Sequence, residues 1–300
     1  MQLSLQSGRY ILAISGGVDS VVLLDMLVNS NQALVDEGNL IVAHFDHGIR
    51  KNSSRDAKFV EELAEKYGLQ FVVGHGGLGS NASEDTARKA RYNFLNEIKK
   101  QNHADSIVTA HHRDDVIETA LINLLRGTGR RGLSSLKDRK GLLRPLLGYR
   151  KSELINYAKE NNIAWQEDET NESSKYLRNR IRKLIGDPRH AGDTEKLMVI
   201  IDRITSLNRD VDTEVDRLLQ NKQRRSRNVI PRTWFLKLSH DLACEVVYAE
   251  IRHIGVQEVD SKLIEMLVVF MKTAKIGKKM TIDKEHTAFI TKRSIRFVKH

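Results

Sequence analysis

Cysteine is almost missing from this chain: Cys244 is the single one among 300 residues. One thiol excludes an internal disulfide and any Cys-x-x-Cys redox or metal centre. Long apolar runs are missing as well, and no stretch approaches the roughly 20 residues that a membrane-spanning helix needs. Residues 11–14 are too short for the apolar core of a signal peptide and lead directly into a glycine turn. There is no internal repeat and no low-complexity tract. These absences set the expectation of a cytoplasmic protein with no membrane association. Acidic side chains are outnumbered, 39 against 49 Lys and Arg, for a net charge of +10. That balance favours a polyanionic partner, of which nucleic acid is the usual one.

The stretch around which the chain is organised runs Ile11-Leu12-Ala13-Ile14-Ser15-Gly16-Gly17-Val18-Asp19-Ser20 and continues as Val21-Val22-Leu23-Leu24. An apolar run, a Ser-Gly-Gly turn and a second apolar run predict a strand, a tight loop and a helix. Adjacent glycines let backbone N–H groups approach an anion without a Cβ in the way. Ser15 and Ser20 add hydroxyls, and the helix opening near Asp19 adds free N–H groups and a positive dipole end. Residues 15–20 are therefore a candidate phosphate cradle. No Lys-Ser or Lys-Thr closes the loop and the glycine spacing differs, so it is not a Walker A motif.

Strand-like and helix-like segments then alternate, which predicts a doubly wound parallel α/β sheet. Residues 40–43 read as a second strand ending in His44-Phe45-Asp46-His47-Gly48-Ile49-Arg50, residues 55–67 as an amphipathic helix, and residues 70–73 as a third strand. Ser83 is the expected N-cap of a helix that carries Glu84, with Arg88 and Arg91 on one face. A fourth strand over 106–110 runs into His111-His112-Arg113-Asp114-Asp115-Val116-Ile117-Glu118. Polar residues at strand C-termini belong on the rim where open α/β sheets bind ligands. Asp115 and Glu118, three apart at a helix start, can converge on one cation. The spacing of His44, His47, His111 and His112 matches neither a His-Glu-x-x-His helix nor a zinc pattern, so magnesium accompanying a nucleotide is the expected metal.

Gly127-Thr128-Gly129-Arg130-Arg131-Gly132 spells a Gly-x-Gly-x-x-Gly fingerprint but follows a helix instead of a strand, which removes the dinucleotide reading. It is read as a mobile basic loop over the rim, with Arg126, Arg130 and Arg131 available to phosphates. A helix over 151–160 follows, then Asp168-x-Thr170-Asn171 and the basic run containing Arg178, Arg180 and Arg182. Gly186-Asp187-Pro188 is a break. The expected organisation is a catalytic domain over 1–187, a linking helix and basic segment over 188–225, and a smaller α+β domain over 226–300. Lys222, Arg224, Arg225 and Arg227 make the linker's end basic. The last part is read as a short strand near Trp234-Phe235, helices around 242–254 and 261–273, and a final β-hairpin.

The Ser-Gly-Gly-x-Asp-Ser loop resembles that of the pyrophosphate-loop ATP pyrophosphatases. Residues 15–20, 44–50, 84–92, 111–132, 143–147 and 168–182 together resemble the tRNA(Ile)-lysidine synthetase family, with Asp46 standing where that family often has Asn. The resemblance implies an adenine nucleotide alpha-hydrolase-like fold and a ligase that uses ATP and magnesium. Such a ligase adenylates the wobble cytidine of a CAU-anticodon tRNA(Ile) and then joins L-lysine to its C2, releasing AMP and pyrophosphate. It further implies that Ser15, Gly16, Gly17, Val18, Asp19 and Ser20 hold the triphosphate, with Asp19 on its magnesium. Asp115 and Glu118 would hold the lysine ammonium. Arg88, Arg91 and Arg144 would neutralise charge, and His111 or His112 would handle protons. Arg126, Arg130, Arg131, Arg178, Arg182, Arg224 and Arg225 would contact tRNA. A homodimer is left open. A tRNA thiolase would need cysteines near these motifs, a GMP or NAD synthetase would leave the basic C-terminal part unexplained, and a catalytically dead RNA binder would have no use for the carboxylates.

Overall fold

The computed structural model describes residues 2–48, 53–79, 82–166, 177–222, 228–256 and 259–299. Contacts divide the chain into two units. The first comprises residues 1–127 and 132–201, and the second residues 128–131 and 202–300. The division falls inside a long helix rather than at residue 187.

In the first unit, β1 (Tyr10–Ala13), β2 (Leu40–Asp46), β3 (Gln70–His75), β4 (Ser106–Thr109) and the two-residue β5 (Leu142–Leu143) form one parallel sheet in the order β3-β2-β1-β4-β5. The sequence reason is the unbroken apolar character of β1, and of β2 through Ala43, which suits strands buried on both faces. Leu12, Val42 and Val108 point into a core shared with α1 (Val18–Ser30), α3 (Ser53–Lys66) and α7 (Lys151–Glu160). Ile11, Ile41 and Ile107 point the other way, against Leu95 and Ile98 of α4 (Glu84–Gln101). Helix α1 is buried from Val18 through Val28 apart from Asp19, so it shows no polar face. The expected cap on α4 is present, with Ser83 Oγ accepting from Thr86 N at 3.1 Å. The second strand runs on to Asp46, taking in His44 and Phe45.

The β1–β4 neighbourhood positions the site. Chain connections leave β1 toward β2 on one side, and β4 lies on the other, so the strand order reverses between them. Ala13 is in register with Thr109, which puts the loop after β1 beside the loop after β4. That crevice is where open α/β sheets accept ligands. Helix α5 (Arg113–Leu125) springs from the second loop and packs Val116, Ile117 and Ala120 against Met198 and Ile201 of α9 (Ala191–Lys222). Between them in sequence lie the short α6 (Arg130–Leu133) and α8 (Leu177–Gly186).

The second unit holds a four-stranded antiparallel sheet in the order β6-β9-β8-β7, built from β6 (Val229–Pro231), β7 (Lys279–Thr281), β8 (His286–Ile290) and β9 (Ser294–Lys299). Its helices α11 (His240–His253) and α12 (Ser261–Thr273) match the periodicity read from sequence. The expected strand near Trp234-Phe235 is instead the helix α10 (Arg232–Phe235), and the strand is the preceding Val229–Pro231. Pro231 stands at the helix N-cap with φ −62°, which favours helix entry and removes a ladder donor. The expected hairpin is the β8–β9 pair, widened to four strands by β6 and β7. Among the described residues no helix is long and apolar enough to cross a membrane.

Candidate active site at the carboxyl ends of β1 and β4

The loop after β1 is held by backbone and hydroxyl contacts. Ile14 N donates to Ala43 O at 3.0 Å, and buried His44 uses Nδ1 to donate to Ile14 O at 2.9 Å. Burial lowers the pKa of His44 despite that bond, so it stays a neutral brace. Ser20 is the hub: its Oγ accepts from Ser15 N at 3.2 Å and Gly16 N at 3.1 Å, and donates to Gly17 O at 2.8 Å. Gly16 has φ +93°, a conformation that favours glycine. Gly17 caps α1 from an extended conformation, and a Cβ there would meet nothing nearer than Ser15 Oγ at 3.8 Å. That side of Gly17 is uncrowded, with only an ordinary contact to Ser15 Oγ.

Asp19, in the first turn of α1, meets the N-terminus of α5. His112 is the α5 N-cap, and its backbone N donates to Asp115 Oδ2 at 3.0 Å. Its Nε2 lies 3.6 Å from Asp19 Oδ2 and 3.6 Å from Asp115 Oδ2. Burial opposes ionisation of both His112 and Asp19, but their mutual attraction, with the neighbouring charges of Asp115 and Lys151, outweighs it for the pair. The pKa of His112 is raised and that of Asp19 is lowered. Lys151 Nζ also reaches Asp19 Oδ2, at 3.3 Å, from the start of α7. Asp19 Oδ1 is buried and makes no hydrogen bond among the described residues. Sequence reading missed Lys151, since nothing local marks a lysine 132 residues away as a neighbour of the loop.

His111 has the opposite environment. Its Nδ1 lies 2.8 Å from Thr109 Oγ1, and burial followed by the charges of Arg144, Arg91 and Arg88 pushes its pKa down to about 3. Arg88 and Arg91 lie over the Tyr92 ring, 5.1 and 5.5 Å from its centroid, and Arg144 is buried. Two neighbouring histidines are thus driven apart, one lowered in pKa among arginines and one raised among carboxylates.

Several expected side chains prove to be engaged within the protein. Glu118 is buried and accepts from Nε of Arg178 and from Nε of Arg182, the latter at 2.5 Å. Arg182 also lies 3.9 Å from Asp115 Oδ1. The loop expected to be mobile and basic contains a helical turn at Arg130–Leu133. Arg130 pairs with Asp212 at 2.8 Å and Glu245 at 2.6 Å, and Arg131 pairs with Glu245 and stacks 3.6 Å over Tyr248. Arg126 at the end of α5 is exposed. Arg224, Arg225 and the Asp168-x-Thr170-Asn171 motif lie outside the described residues.

A strand, a Gly-Gly loop and a buried helix at the switch point, with a carboxylate in the first helical turn, are the arrangement of the pyrophosphate-loop class. The chain belongs to the PP-loop domain family, whose model matches residues 2–188. The tRNA(Ile)-lysidine synthase of Thermosipho africanus is 39% identical over 187 residues, covering 60% of this chain and 43% of that protein. The enzyme of the same name from Thermotoga maritima is 37% identical over 189 residues, covering 60% of this chain and 45% of that protein. The matched region thus spans less than half the length of these relatives. The U34-tRNA thiolase NcsA from Methanococcus maripaludis, solved with its iron–sulfur cluster, superposes with a TM-score of 0.54 at 18% identity. That alignment covers 67% of this chain and 74% of the thiolase, and the likeness is one of fold.

Proposed function

We propose that this chain is an ATP-dependent ligase that forms lysidine on the wobble cytidine of a CAU-anticodon tRNA(Ile), through an adenylated tRNA intermediate. The observation that carries the proposal is the acidic group at the mouth of the loop, where Asp19 and Asp115 both approach His112 Nε2 at 3.6 Å. The identity to lysidine synthases over the same residues supports the choice of substrates.

The chemistry follows from the parts. Loop amides of residues 15–20 and the N-terminus of α1 receive the phosphates, with Ser20 Oγ as the group that exchanges its amide contacts for theirs. The orphaned, buried Oδ1 of Asp19 suits a hard cation, so Asp19 would hold magnesium, with Asp115 nearby. Bound there, magnesium would neutralise phosphate charge. Lys151 joins Asp19 as a phosphate-side cation. The cytidine C2 oxygen is a poor leaving group until adenylation converts it to AMP, which the lysine ε-amine then displaces at C2. Arg88, Arg91 and Arg144 around neutral His111 form a cationic wall suited to the nucleotide or the RNA. His111, which stays uncharged at neutral pH, serves there as a neutral hydrogen-bonding group, while His112 holds Asp19 and Asp115 in place.

Asp115 is the direct partner of the lysine ammonium. Glu118 joins it only if the ammonium displaces Arg178 and Arg182, which otherwise hold it. Exposed Arg126 and the basic stretch with Arg224 and Arg225 are the phosphate contacts for tRNA. Arg130 and Arg131 act chiefly inside the protein, through Glu245 and Asp212.

The test is incubation of the full chain with ATP, labelled lysine and unmodified tRNA of the CAU anticodon. Label should enter RNA, with AMP and pyrophosphate as products, and Asp19→Asn should abolish pyrophosphate release while leaving the circular dichroism unchanged. ATP cleavage that needs neither tRNA nor lysine would overturn the proposal.

A further inference from the structure

In the second unit, three donor atoms of different kinds meet on the surface where α11 and α12 lie side by side. His240 and Cys244 are one turn apart on α11, and Glu265 projects from α12. His240 Nε2 is 2.8 Å from Glu265 Oε2 and 3.6 Å from Cys244 Sγ, and Cys244 Sγ is 3.7 Å from Glu265 Oε1. All three offer a ligand atom within 4.8 Å of one another, the one such group of His, Cys, Asp or Glu among the described residues.

We propose that His240, Cys244 and Glu265 form a binding site for one zinc-type divalent ion, with the fourth position open to water or an outside ligand. The spacing supports it directly. A tetrahedral zinc with Zn–S about 2.3 Å and Zn–N or Zn–O about 2.0–2.1 Å separates sulfur from nitrogen or oxygen by roughly 3.5 Å. The two sulfur distances already stand at 3.6 and 3.7 Å. Nitrogen and oxygen need roughly 3.3 Å, so the His240–Glu265 hydrogen bond must open by about half an ångström, a side-chain adjustment between two surface groups.

Glu265 already draws the other two groups together, accepting from His240 Nε2 on Oε2 and from the Cys244 thiol on Oε1. When an ion binds, the thiol proton leaves to solvent, the imidazole carries its proton on Nδ1, and the three lone pairs turn to one centre. The mixture of thiolate, imidazole and carboxylate selects zinc, cobalt(II) and their neighbours over magnesium or calcium. His240 and Cys244 stand at i and i+4 on one helix face, the spacing that lets two side chains of a helix share a metal.

The probe is cobalt(II) added to the full, reduced chain. One equivalent should give a thiolate-to-cobalt charge-transfer band in the near ultraviolet and the intense visible bands of four-coordinate cobalt, both erased by zinc. Cys244→Ser should lose the charge-transfer band. His240→Ala and Glu265→Gln should weaken binding by more than the roughly 10–100-fold typical of losing an outer-shell partner. Zinc at about a hundred times its Kd should raise the melting temperature of the wild type by several degrees. It should not raise that of a folded Cys244→Ala variant. A charge-transfer band absent at one equivalent, or persisting in Cys244→Ser, would overturn the site, as would equal protection of wild type and variant by zinc.

Discussion

Substituting Glu118 by Gln separates two roles for the same carboxylate, recognition of lysine and internal clamping. Its side chain is 4% exposed and receives Nε donors from Arg178 and Arg182, whose own side chains are 31% and 47% exposed. A hydrogen bond to a charged group is worth about 1.5–3 kcal/mol, and the half-exposed Arg182 is discounted for solvent screening to about 0–1 kcal/mol. Gln keeps one acceptor and the shape but removes the charge, so the loss is about 1.5–4 kcal/mol. For a unit of this size that lowers the melting temperature by roughly 3–16 °C in calorimetry. Asp115→Asn provides the contrast: it keeps an acceptor for His112 N, so stability should fall by no more than about 1 kcal/mol. Its lysine requirement should rise about tenfold or more, since roughly 1.4 kcal/mol of lost pairing is a factor of ten. Adenylated tRNA should still accumulate. A Glu118→Gln protein that melts within about 1 °C of wild type would refute the clamp and return Glu118 to the substrate.

The two histidines give opposite pH limbs. His111 has a folded pKa near 3, below its unfolded value of about 6.5, so it contributes stability that is full above that value and lost as pH falls toward 3. Over that window His111→Asn should flatten the acid limb of melting temperature against pH, by up to about 1.4 kcal/mol per pH unit. His112 has a raised pKa, so its contribution is full below about 6.5 and fades as pH rises through the folded value; His112→Asn should flatten the alkaline limb instead. In the core of the first unit, Met198→Ala empties a site that is 7% exposed against Val116, Ile117 and Ala120, and should cost about 2–5 kcal/mol in denaturant unfolding.

Local sequence determined much of this protein. The period-free apolar runs at residues 10–13 and 40–43 mark strands covered on both faces, and alternation with helices requires parallel crossovers, so the doubly wound sheet was legible. So was the loop, because Gly-Gly between a strand and a helix has few other uses, and so was the Ser83 cap, which needs only a neighbour three residues on. Tertiary structure decided whatever depends on partners far apart in sequence. Glu118 reads as a free carboxylate beside Asp115 until α8 brings Arg178 and Arg182 to it, 60 and 64 residues away. Arg130 reads as a phosphate ligand until Glu245 arrives from 115 residues away. His111 and His112 are indistinguishable as neighbours in a string. The fold surrounds one with arginines and the other with carboxylates, since His111 lies in the loop after β4 and His112 at the N-cap of α5. Charge responds to distance through space, and helical or strand periodicity encodes only the few neighbours within a turn or a pleat.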